Sequence, residues 1–348
     1  MDIREHVPLA PLTTLGVGGP ARYFAEAATE QDVRDGVEFA RSRGLPLFIL
    51  GGGSNLLVAD DGFSGLVLKI AIRGIDDSAA SGRRIFDVGA GEDWDSFVAL
   101  AVARDCAGIE CLSGIPGTVG GTPVQNVGAY GQEVSETIED VRALDLNTSQ
   151  IRELCNPACG FTYRASIFNT TERGRFIILR VRYSLKPAGE TTTTYRDLKT
   201  FFADRVTPPT LAETRQAVRQ IRRAKAMLIV PGDEDCRSAG SFFKNPIVSR
   251  EHFLALQTVA RARGEEMPGY PSNDDNVKIP AAWLVEHAGL ARGYALGPAA
   301  ISRKHALAIV NRGGARASDI LALMDQIQSA VAGRFGIELR PEPVFLGF

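Results

Sequence analysis

Two glycine-rich stretches contain the residues best suited to holding an anionic ligand. The stretch GGGSN (51–55) follows the apolar run LPLFIL (45–50), and LSGIPGTVGGTPVQNVGAYG (112–131) interleaves glycine with apolar residues. Glycine lets successive backbone N–H groups approach a ligand closely, and such groups neutralise a diphosphate. The two stretches together indicate a site for a phosphorylated ligand. Residues 51–55 considered alone could equally be a tight turn between a strand and a loop.

Side chains within these stretches narrow the class of ligand. The longer stretch adds the hydroxyls of Ser113 and Thr118 and the amide of Asn126, and neither stretch contains the Gly-Lys-Ser/Thr of a P-loop. Two lysine-free glycine loops with apolar flanks suit a cofactor that has a diphosphate and a flat apolar ring, such as a flavin dinucleotide. The cluster GVGGPA (16–21) formally fits a dinucleotide fingerprint, but strand-like RYFAEA follows where a helix is needed.

A serine with unusual neighbours is the main candidate for proton chemistry. In SAGSFFKNP (238–246), Ser241 follows Gly240 and precedes two phenylalanines, and a packing role is the alternative interpretation. No metal site is predicted, because the cysteines and histidines lack metal-binding spacing. We interpret the five cysteines as core or surface thiols; they are Cys106, Cys111, Cys155, Cys159 and Cys236. The four histidines are His6, His252, His287 and His305.

The elements that must position these residues alternate irregularly between helix and strand. Thr29 with Asp32, and Asp93, indicate two capped helix starts. The pattern predicts further helices over 211–226, 250–263, 280–288 and 318–335, and strands over 45–50, 65–70, 83–91, 175–185 and 306–311. A strand broken by two prolines is predicted at the C-terminus. This order favours an α+β fold over a doubly wound sheet.

Length and composition limit the protein class. The chain has 348 residues, 45% hydrophobic and 23% charged, with a net charge of −2. These values predict a globular protein of two or three domains and argue against nucleic acid or an anionic membrane as the main partner. No apolar segment typical of a signal peptide or a spanning helix is visible, so we expect a cytoplasmic protein without membrane insertion.

Six motifs occur in the same order as in a known family. They are TTLGVGGPARYF (13–24), LGGGSNLLVADDGFSGLV (50–67), GIPGTVGGTPVQNVGAYG (114–131), YRASIF (163–168), AGSFFKNP (239–246) and RPEPVFLG (340–347). From about residue 12 onward the chain resembles the UDP-N-acetylenolpyruvoylglucosamine reductases, flavoenzymes that make UDP-N-acetylmuramate for bacterial peptidoglycan. It departs from the family pattern at KAMLIVPGDEDC (225–236), which replaces a KLPDP-like stretch, and at Pro343, where valine is usual.

The resemblance implies an architecture and a set of ligands. It implies an FAD-binding region of the vanillyl-alcohol-oxidase type, with subdomains at 1–75 (completed by 336–348) and 76–228. A smaller α+β substrate-binding domain follows at 229–335. It also implies NADPH as reductant and a UDP-sugar as substrate. FAD is expected to be non-covalent, because neither glycine loop contains a histidine. The matching FAD-binding positions are Gly51, Gly52, Gly53, Ser54, Asn55, Leu56, Ser113, Gly114, Pro116, Gly117, Thr118, Gly120, Gly121, Asn126 and Gly128.

The resemblance also implies roles for three catalytic residues and three substrate contacts. Reduction of an enolpyruvyl ether requires a hydride at C3 and a proton at C2, and negative charge spreads into the carboxylate. Arg164 can pair with that charge in a planar, bidentate way, and a positioned Ser241 hydroxyl can protonate a strongly basic carbanion. Glu342 helps only if it is protonated or orients a cation. The positions matching UDP-sugar contacts are Tyr195, Lys225 and Asn245.

Two alternatives remain open on the sequence. One is a flavin oxidase or dehydrogenase of the same cofactor fold that acts on another small molecule. The other is a nucleotide-sugar-binding protein without catalytic activity. Arg164, Ser241 and Glu342 favour a reductase over the second alternative.

Overall fold

The computed structural model describes residues 1–272 and 275–348. Its helices are α1 (Glu30–Ser42), α2 (Trp94–Ala103), α3 (Arg196–Phe201), α4 (Leu211–Ala224), α5 (Arg250–Ala262), α6 (Ala281–His287) and α7 (Ala317–Phe335). Its strands are β1 (Ile3–Pro8), β2 (Pro20–Ala27), β3 (Leu47–Leu50), β4 (Leu56–Val58), β5 (Phe63–Ile70), β6 (Ile75–Ala80), β7 (Arg83–Gly89), β8 (Cys106–Ala107), β9 (Gly128–Ala129), β10 (Gln132–Glu133), β11 (Ile138–Asp145), β12 (Gln150–Cys155), β13 (Phe176–Pro187), β14 (Ile247–Ser249), β15 (Tyr270–Pro271), β16 (Asn276–Lys278), β17 (Ala295–Leu296), β18 (Ala299–Ile301), β19 (Ile309–Asn311) and β20 (Val344–Leu346).

The described residues divide into two compact units. Unit 1 consists of Met1–Val7, Ala21–Gly53 and Phe63–Ile229. Unit 2 consists of Pro8–Pro20, Ser54–Gly62 and Val230–Phe348. The predicted domain limits near residues 75, 228 and 335 stay predictions, because a division by contacts does not show which segments bind a cofactor or a substrate.

The first sheet of unit 1 has the strand order β1-β2-β5-β3, and β5 pairs in parallel with β2 and β3. Helix α1 packs against it through buried Val33, Gly36 and Ala40. Gly36 is needed at this contact, because a Cβ there would lie 2.9 Å from the methyl carbons of Leu68 on β5. The predicted capping box is confirmed, since the Thr29 and Asp32 side chains each accept the other residue's backbone N–H.

The second sheet of unit 1 has the order β12-β11-β13-β7-β6, and β8 pairs with the end of β13. Helix α2 begins after Asp93, whose carboxylate accepts the Ser96 N–H, as the sequence predicts. Trp94 and Phe97 on α2 pack against each other and against Tyr183 of β13. This aromatic cluster joins the helix to the sheet at the end where the second glycine loop begins.

Unit 2 is built from short antiparallel sheets, helices and one parallel strand pair. The sheets have the orders β14-β16-β15 and β17-β18-β19, and β20 pairs in parallel with β4. Helix α7 buries one face against this core, including Ile320, Leu323 and Ile327. The predicted helices at 250–263, 280–288 and 318–335 are confirmed as α5, α6 and α7 within one or two residues at each end.

Some strands carry too weak a pattern to be predicted from sequence. Strand β12 is largely exposed, and on its neighbour β11 the charged Arg142 pairs with Glu30 and Glu153, so alternating burial is hard to read there. The strand predicted over 306–311 shortens to β19, because residues 305–308 form a turn that is closed by the Ala308 N–H donating to His305 O. Strand β2 begins at Pro20, which confirms the prediction that a strand, and not the helix of a dinucleotide fingerprint, follows residues 16–19.

Among residues 1–272 and 275–348, none of the helices has both the length and the apolarity needed to cross a bilayer. The same residues contain no group of three or more His, Cys, Asp and Glu side chains able to hold a metal ion. All five cysteines are thiols, with Cys155 exposed and the others buried.

Candidate active site

The two glycine loops meet in unit 1. A Cβ at Gly52 would lie 2.5 Å from the Cα of Gly117, and one at Gly51 would lie 2.9 Å from Thr118 Oγ1. Two backbones can approach this closely only where no side chain lies between them, as at a glycine. Within the described part of the chain, the backbone N–H groups of Gly52 and Gly53 donate to no acceptor. This arrangement fits a diphosphate, because it offers donors on a surface without side-chain cover.

The second loop is held in place by the connection between β7 and α2. The Trp94 N–H donates to Gly117 O, the Val119 N–H to Glu92 O and the Gly120 N–H to Ala90 O, with N···O distances of 2.9 to 3.1 Å. The Trp94 indole N–H also donates to Leu112 O at 3.0 Å. The backbone over 112–131 contains short 3-10 turns and the two-residue strand β9.

Gly114 is fixed from both sides by charged residues. Asp95 Oδ1 accepts the Gly114 N–H at 2.6 Å, and the Arg222 Nε–H donates to Gly114 O at 3.1 Å. Asp95 also pairs with Arg215 and Arg219 on α4. Burial opposes ionisation of Asp95, but these guanidinium groups and the Gly114 N–H outweigh it, so the pKa of Asp95 lies below its ordinary value.

Helix α4 is rich in arginine, and one of its arginines is buried beside the second glycine loop. Arg222 is buried, and its Nη2 donates to Met227 O at 2.6 Å. Burial lowers the pKa of its guanidinium. This side chain, together with Arg215 and Arg219 acting through Asp95, joins α4 to the second glycine loop.

Two predicted cofactor-binding side chains are engaged within the protein. Ser113 Oγ donates to Glu110 O at 2.6 Å and is fully buried. The Asn126 amide donates to Glu133 Oε2 and Thr162 O, and its Oδ1 accepts the Ser135 N–H. These bonds shape the loop from inside, and direct contact of either side chain with FAD stays a prediction.

Arg164 lies in a tight turn beside the second glycine loop. Thr162 and Ala165 pair with each other on either side of it, and Arg164 adopts a left-handed φ of 54°. Asn169 donates to its carbonyl oxygen at 3.3 Å. A Cβ at Gly128 would lie 3.5 Å from Arg164 Nη1, so the guanidinium is next to this loop. The structure thus brings the predicted catalytic arginine and predicted cofactor-binding residues together.

Tyr195 and Lys225 lie where α3 meets α4. Tyr195 precedes α3 and packs its ring edge-to-face with Tyr130 at a centroid distance of 5.5 Å. Lys225 follows the end of α4 and pairs with Asp197 in the first turn of α3. The two predicted substrate contacts are therefore positioned by the same helix pair, although their contact with a UDP-sugar stays a prediction.

In unit 2, Asn55 is joined to the segment that carries Glu342. The Asn55 amide donates to Glu342 O at 3.2 Å, and the Val344 N–H donates to Asn55 O at 2.9 Å. Leu56 then pairs with Val344 as β4 and β20 run in parallel. Thr14 Oγ1 lies 3.3 Å from Ser54 O and 2.7 Å from Ser238 O, so residues 54–55 are also joined to the serine motif.

The Ser241 motif is held by backbone hydrogen bonds from two other segments. The Glu342 N–H donates to Phe242 O at 2.9 Å and the Lys244 N–H to Arg340 O at 3.0 Å, on either side of the bridge between Phe243 and Pro341. The Phe242 N–H donates to Leu307 O at 2.7 Å. Both phenylalanines are buried in the core of unit 2, while Ser241 is half-buried. Ser241 and Glu342 are therefore brought to one place, as predicted residues of one site must be.

Two further side chains complete the surroundings of this segment. Asn245 Oδ1 accepts the Ala281 N–H at 2.9 Å and so caps the start of α6. This predicted substrate contact therefore also stabilises the helix. Ser241 Oγ lies 3.1 Å from His305 Nε2. In the sequence His305 is one of four histidines without metal-binding spacing, and nothing near it indicates a contact with Ser241.

Comparison with known proteins identifies the family. A family model described as "UDP-N-acetylenolpyruvoylglucosamine reductase, C-terminal domain" matches residues 231–346, and one described as "FAD binding domain" matches residues 21–154. A UDP-N-acetylenolpyruvoylglucosamine reductase from Thermobifida fusca is 44% identical over 99% of this chain and 98% of its own length. The chain belongs to the UDP-N-acetylenolpyruvoylglucosamine reductase family.

Other relatives agree with this assignment. A Pseudomonas aeruginosa reductase of the same name is 39% identical over 99% of this chain and 98% of its own length. A crystal structure of the Thermus caldophilus reductase matches with a TM-score of 0.68 at 28% identity, covering 99% of this chain and 100% of that one. As a member of the reductase family the chain is an FAD-dependent oxidoreductase. The predicted α+β fold, with an FAD-binding region and a separate C-terminal domain, is confirmed.

Several residues that shape the site were not found from the sequence. Asp95 and Arg222 fix Gly114, and the buried carboxylate of Glu110 accepts hydrogen bonds from Gln132, Thr191 and the Thr192 N–H. The contacts of Asp95 with Gly114 and with Arg219 join residues 19 and 124 positions apart, so no local spacing in the sequence marks them. The one available signal was the clustering of arginines on α4, which indicates an acidic partner but does not identify it.

We expect Asp95→Asn to destabilise the protein, because it removes the charge paired with Arg215 and Arg219 in a largely buried position. The free energy of unfolding should fall by about 2 kcal/mol at pH 7, as for charge-assisted hydrogen bonds. The pKa of Asp95 is lowered in the folded state, so this stabilisation is present above its ordinary value of about 4 and lost below it. The difference from wild type should therefore shrink at pH 3.

Urea unfolding at pH 7 and pH 3 measures both effects. Asp325→Asn, at an exposed position on α7, is the matched control and should leave the free energy of unfolding unchanged. Equal stability of Asp95→Asn and wild type at pH 7 would show that the loop does not depend on this carboxylate.

Proposed function

We propose that this chain reduces the enolpyruvyl ether of UDP-N-acetylglucosamine enolpyruvate to UDP-N-acetylmuramate, with FAD as bound cofactor and NADPH as reductant. Membership of the reductase family supports the reaction, and the FAD-binding domain supports the cofactor. The observation that carries the proposal is the pairing of the Ser241 segment with residues 340–342, because it joins a potential proton donor to a potential charge-stabilising carboxyl group.

FAD, when bound, supplies the hydride that adds to C3 of the enolpyruvyl group. The residues proposed to hold it are those of the two glycine loops, from Gly51 to Leu56 and from Ser113 to Gly128. The backbone N–H groups of Gly52 and Gly53 are suited to the diphosphate. Gly117 and Thr118 pack directly against Gly51 and Gly52, so a side chain on either glycine of the first loop would not fit there.

Arg164 is proposed to stabilise negative charge on the substrate carboxylate as the double bond is reduced. A guanidinium can donate two parallel hydrogen bonds to a carboxylate or an enolate, and a lysine cannot. The turn from Thr162 to Ala165 supports this role, because it fixes the backbone of Arg164 and reduces the entropy lost when the side chain binds.

Ser241 is proposed to donate the proton that C2 receives. Its hydroxyl is a weak acid, but a carbanion formed by hydride addition is a strong base, so transfer is favourable when the two atoms are aligned. Glu342 is proposed to contribute either as a protonated acid or by orienting a cation. Tyr195, Lys225 and Asn245 are proposed to contact the UDP-sugar.

The product places the enzyme in the synthesis of peptidoglycan precursors, and we propose a cytoplasmic location for it. Nucleotide-activated sugars and NADPH are compounds of the cytoplasm, which favours this location over an exported one.

Anaerobic mixing tests the proposed reaction. The purified protein should be yellow with tightly but non-covalently bound FAD, and NADPH should bleach the flavin absorbance. Adding the enolpyruvyl UDP-sugar should then restore the absorbance while UDP-N-acetylmuramate forms. Bleaching by NADPH without recovery on adding this substrate would favour a flavoenzyme that acts on another small molecule.

We expect Arg164→Lys to keep the fold and the flavin but to lose turnover. Lysine preserves the charge and loses the planar pair of donors, and removal of a donor to developing negative charge typically costs about 10²-fold or more. Steady-state kinetics with saturating NADPH measure the loss. Arg173→Lys, at an exposed position, is the control. A kcat for Arg164→Lys close to that of wild type would mean that the arginine does not act on the substrate.

Ser241→Ala should affect one half-reaction and spare the other. Reduction of the flavin by NADPH requires no proton at C2, so its rate should stay close to that of wild type. Reoxidation by the enolpyruvyl substrate should slow on the order of 10²-fold, as expected for loss of a general acid. Stopped-flow absorbance separates the two steps. Ser64→Ala, on the exposed side of β5, serves as control, and equal slowing of both steps would indicate a packing role for Ser241.

A further inference from the structure

His305 lies at the tip of the turn between β18 and β19, beside Ser241. The Ser302 N–H donates to Ala308 O, and the Ala308 N–H donates to His305 O, which closes the turn. The turn is also joined to the Ser241 segment through the hydrogen bond from the Phe242 N–H to Leu307 O. The contact of 3.1 Å between Ser241 Oγ and His305 Nε2 is thus supported by a neighbouring backbone hydrogen bond.

A second set of contacts holds this turn from the other side. Asp235 Oδ1 accepts the Arg303 N–H at 3.1 Å, and Asp233 Oδ2 accepts from Lys304 Nζ at 2.5 Å. Asp235 is itself buried, and its N–H donates to Asp233 Oδ1. Both carboxylates belong to the GDEDC stretch (232–236), where the sequence departs from the family pattern. This stretch therefore positions the two residues that precede His305.

The direction of the Ser241–His305 hydrogen bond decides what the histidine does. A serine hydroxyl has a single proton. If that proton pointed to His305 Nε2, it would be turned away from the substrate. If Nε2 carries the proton and donates, Oγ accepts and the hydroxyl proton stays available for transfer. A donated N–H also stabilises the negative charge that develops on Oγ as the proton leaves.

We propose that His305 is a positioning residue whose Nε2–H donates to Ser241 Oγ and thereby orients and acidifies the proton donor. The inference rests on the proposed function, since it assumes that Ser241 protonates C2. The O–H bond of Ser241 breaks, its proton forms the new C–H bond with the electron pair on C2, and the oxygen left negative is held by the His305 N–H. Water then returns a proton to Oγ.

Nitrogen-15 NMR of the histidine rings tests the direction of the bond without any turnover. The chain has four histidines, so comparison with His305→Gln assigns the signals of His305. We expect Nε2 to be protonated in wild type, and we expect the Nε2 shift to change in Ser241→Ala because its acceptor is lost. A His305 ring with an unprotonated Nε2 would overturn the proposal.

Half-reactions test the consequence for catalysis. His305→Leu should reduce its flavin with NADPH at the wild-type rate and slow reoxidation by the enolpyruvyl substrate about 10²-fold. His305→Gln should recover most of this loss, because its amide can also donate to Oγ. The double variant Ser241→Ala/His305→Leu should be no slower than Ser241→Ala alone, since the histidine acts through the serine. His252→Leu, at an exposed histidine, is the control and should match wild type.

The outcomes separate this inference from the proposal on which it rests. Slow reoxidation in Ser241→Ala with normal reoxidation in His305→Leu would overturn only the positioning role, as would full additivity of the two losses. Normal reoxidation in Ser241→Ala would instead overturn the proton-donor role of the serine. Thermal unfolding of each variant identifies any loss caused by poor folding, and then His305→Gln and the NMR measurement decide.

Discussion

The close approach of two backbones is the constraint on which unit 1 depends. Gly52 and Gly117 leave no room for a side chain between their loops, and neither loop has a regular element of more than a few residues to hold it in place. The surrounding structure supplies that support. The β7–α2 connection binds Gly117 and its neighbours through backbone hydrogen bonds, and Asp95 with Arg222 fixes Gly114 from opposite sides.

The side chains that hold Gly114 are charged, and apolar side chains could not replace them. Removing the Arg222 guanidinium and part of the Asp95 carboxylate from water costs free energy, and the pairing of Asp95 with Arg215 and Arg219 returns little of it as net stability. A carboxylate and a guanidinium, however, accept and donate hydrogen bonds in defined directions, which an apolar side chain cannot do for an exposed peptide group. The loop thus gains a specific backbone geometry. In unit 2 the main chain of Phe242 and Lys244 is held instead by backbone hydrogen bonds from residues 307 and 340–342.

Local sequence signals were sufficient for part of this architecture. The caps at Thr29 and Asp93, the glycine loops and most helices follow from residues within a turn or two of each other, and the structure agrees with them. The family motifs then pointed to Arg164 and Ser241. The Asp95–Arg219 pair and the Ser241–His305 contact could not be predicted, because each joins residues 64 or more positions apart that have ordinary neighbours. Such contacts depend on the fold, and a lone histidine or aspartate carries no local sign of its partner.

The parallel pairing of β4 with β20 has a consequence for how the polypeptide is made. Asn55 and the carbonyl it binds at Glu342 are separated by 287 residues, so an early segment has its partner near the end of the chain. During translation β4 leaves the ribosome long before β20 exists, and this part of unit 2 must stay unpaired until synthesis is almost complete. A premature stop codon a few positions before Val344 would remove only the last residues of the chain. Strand β4 would then lack β20, the strand with which it pairs.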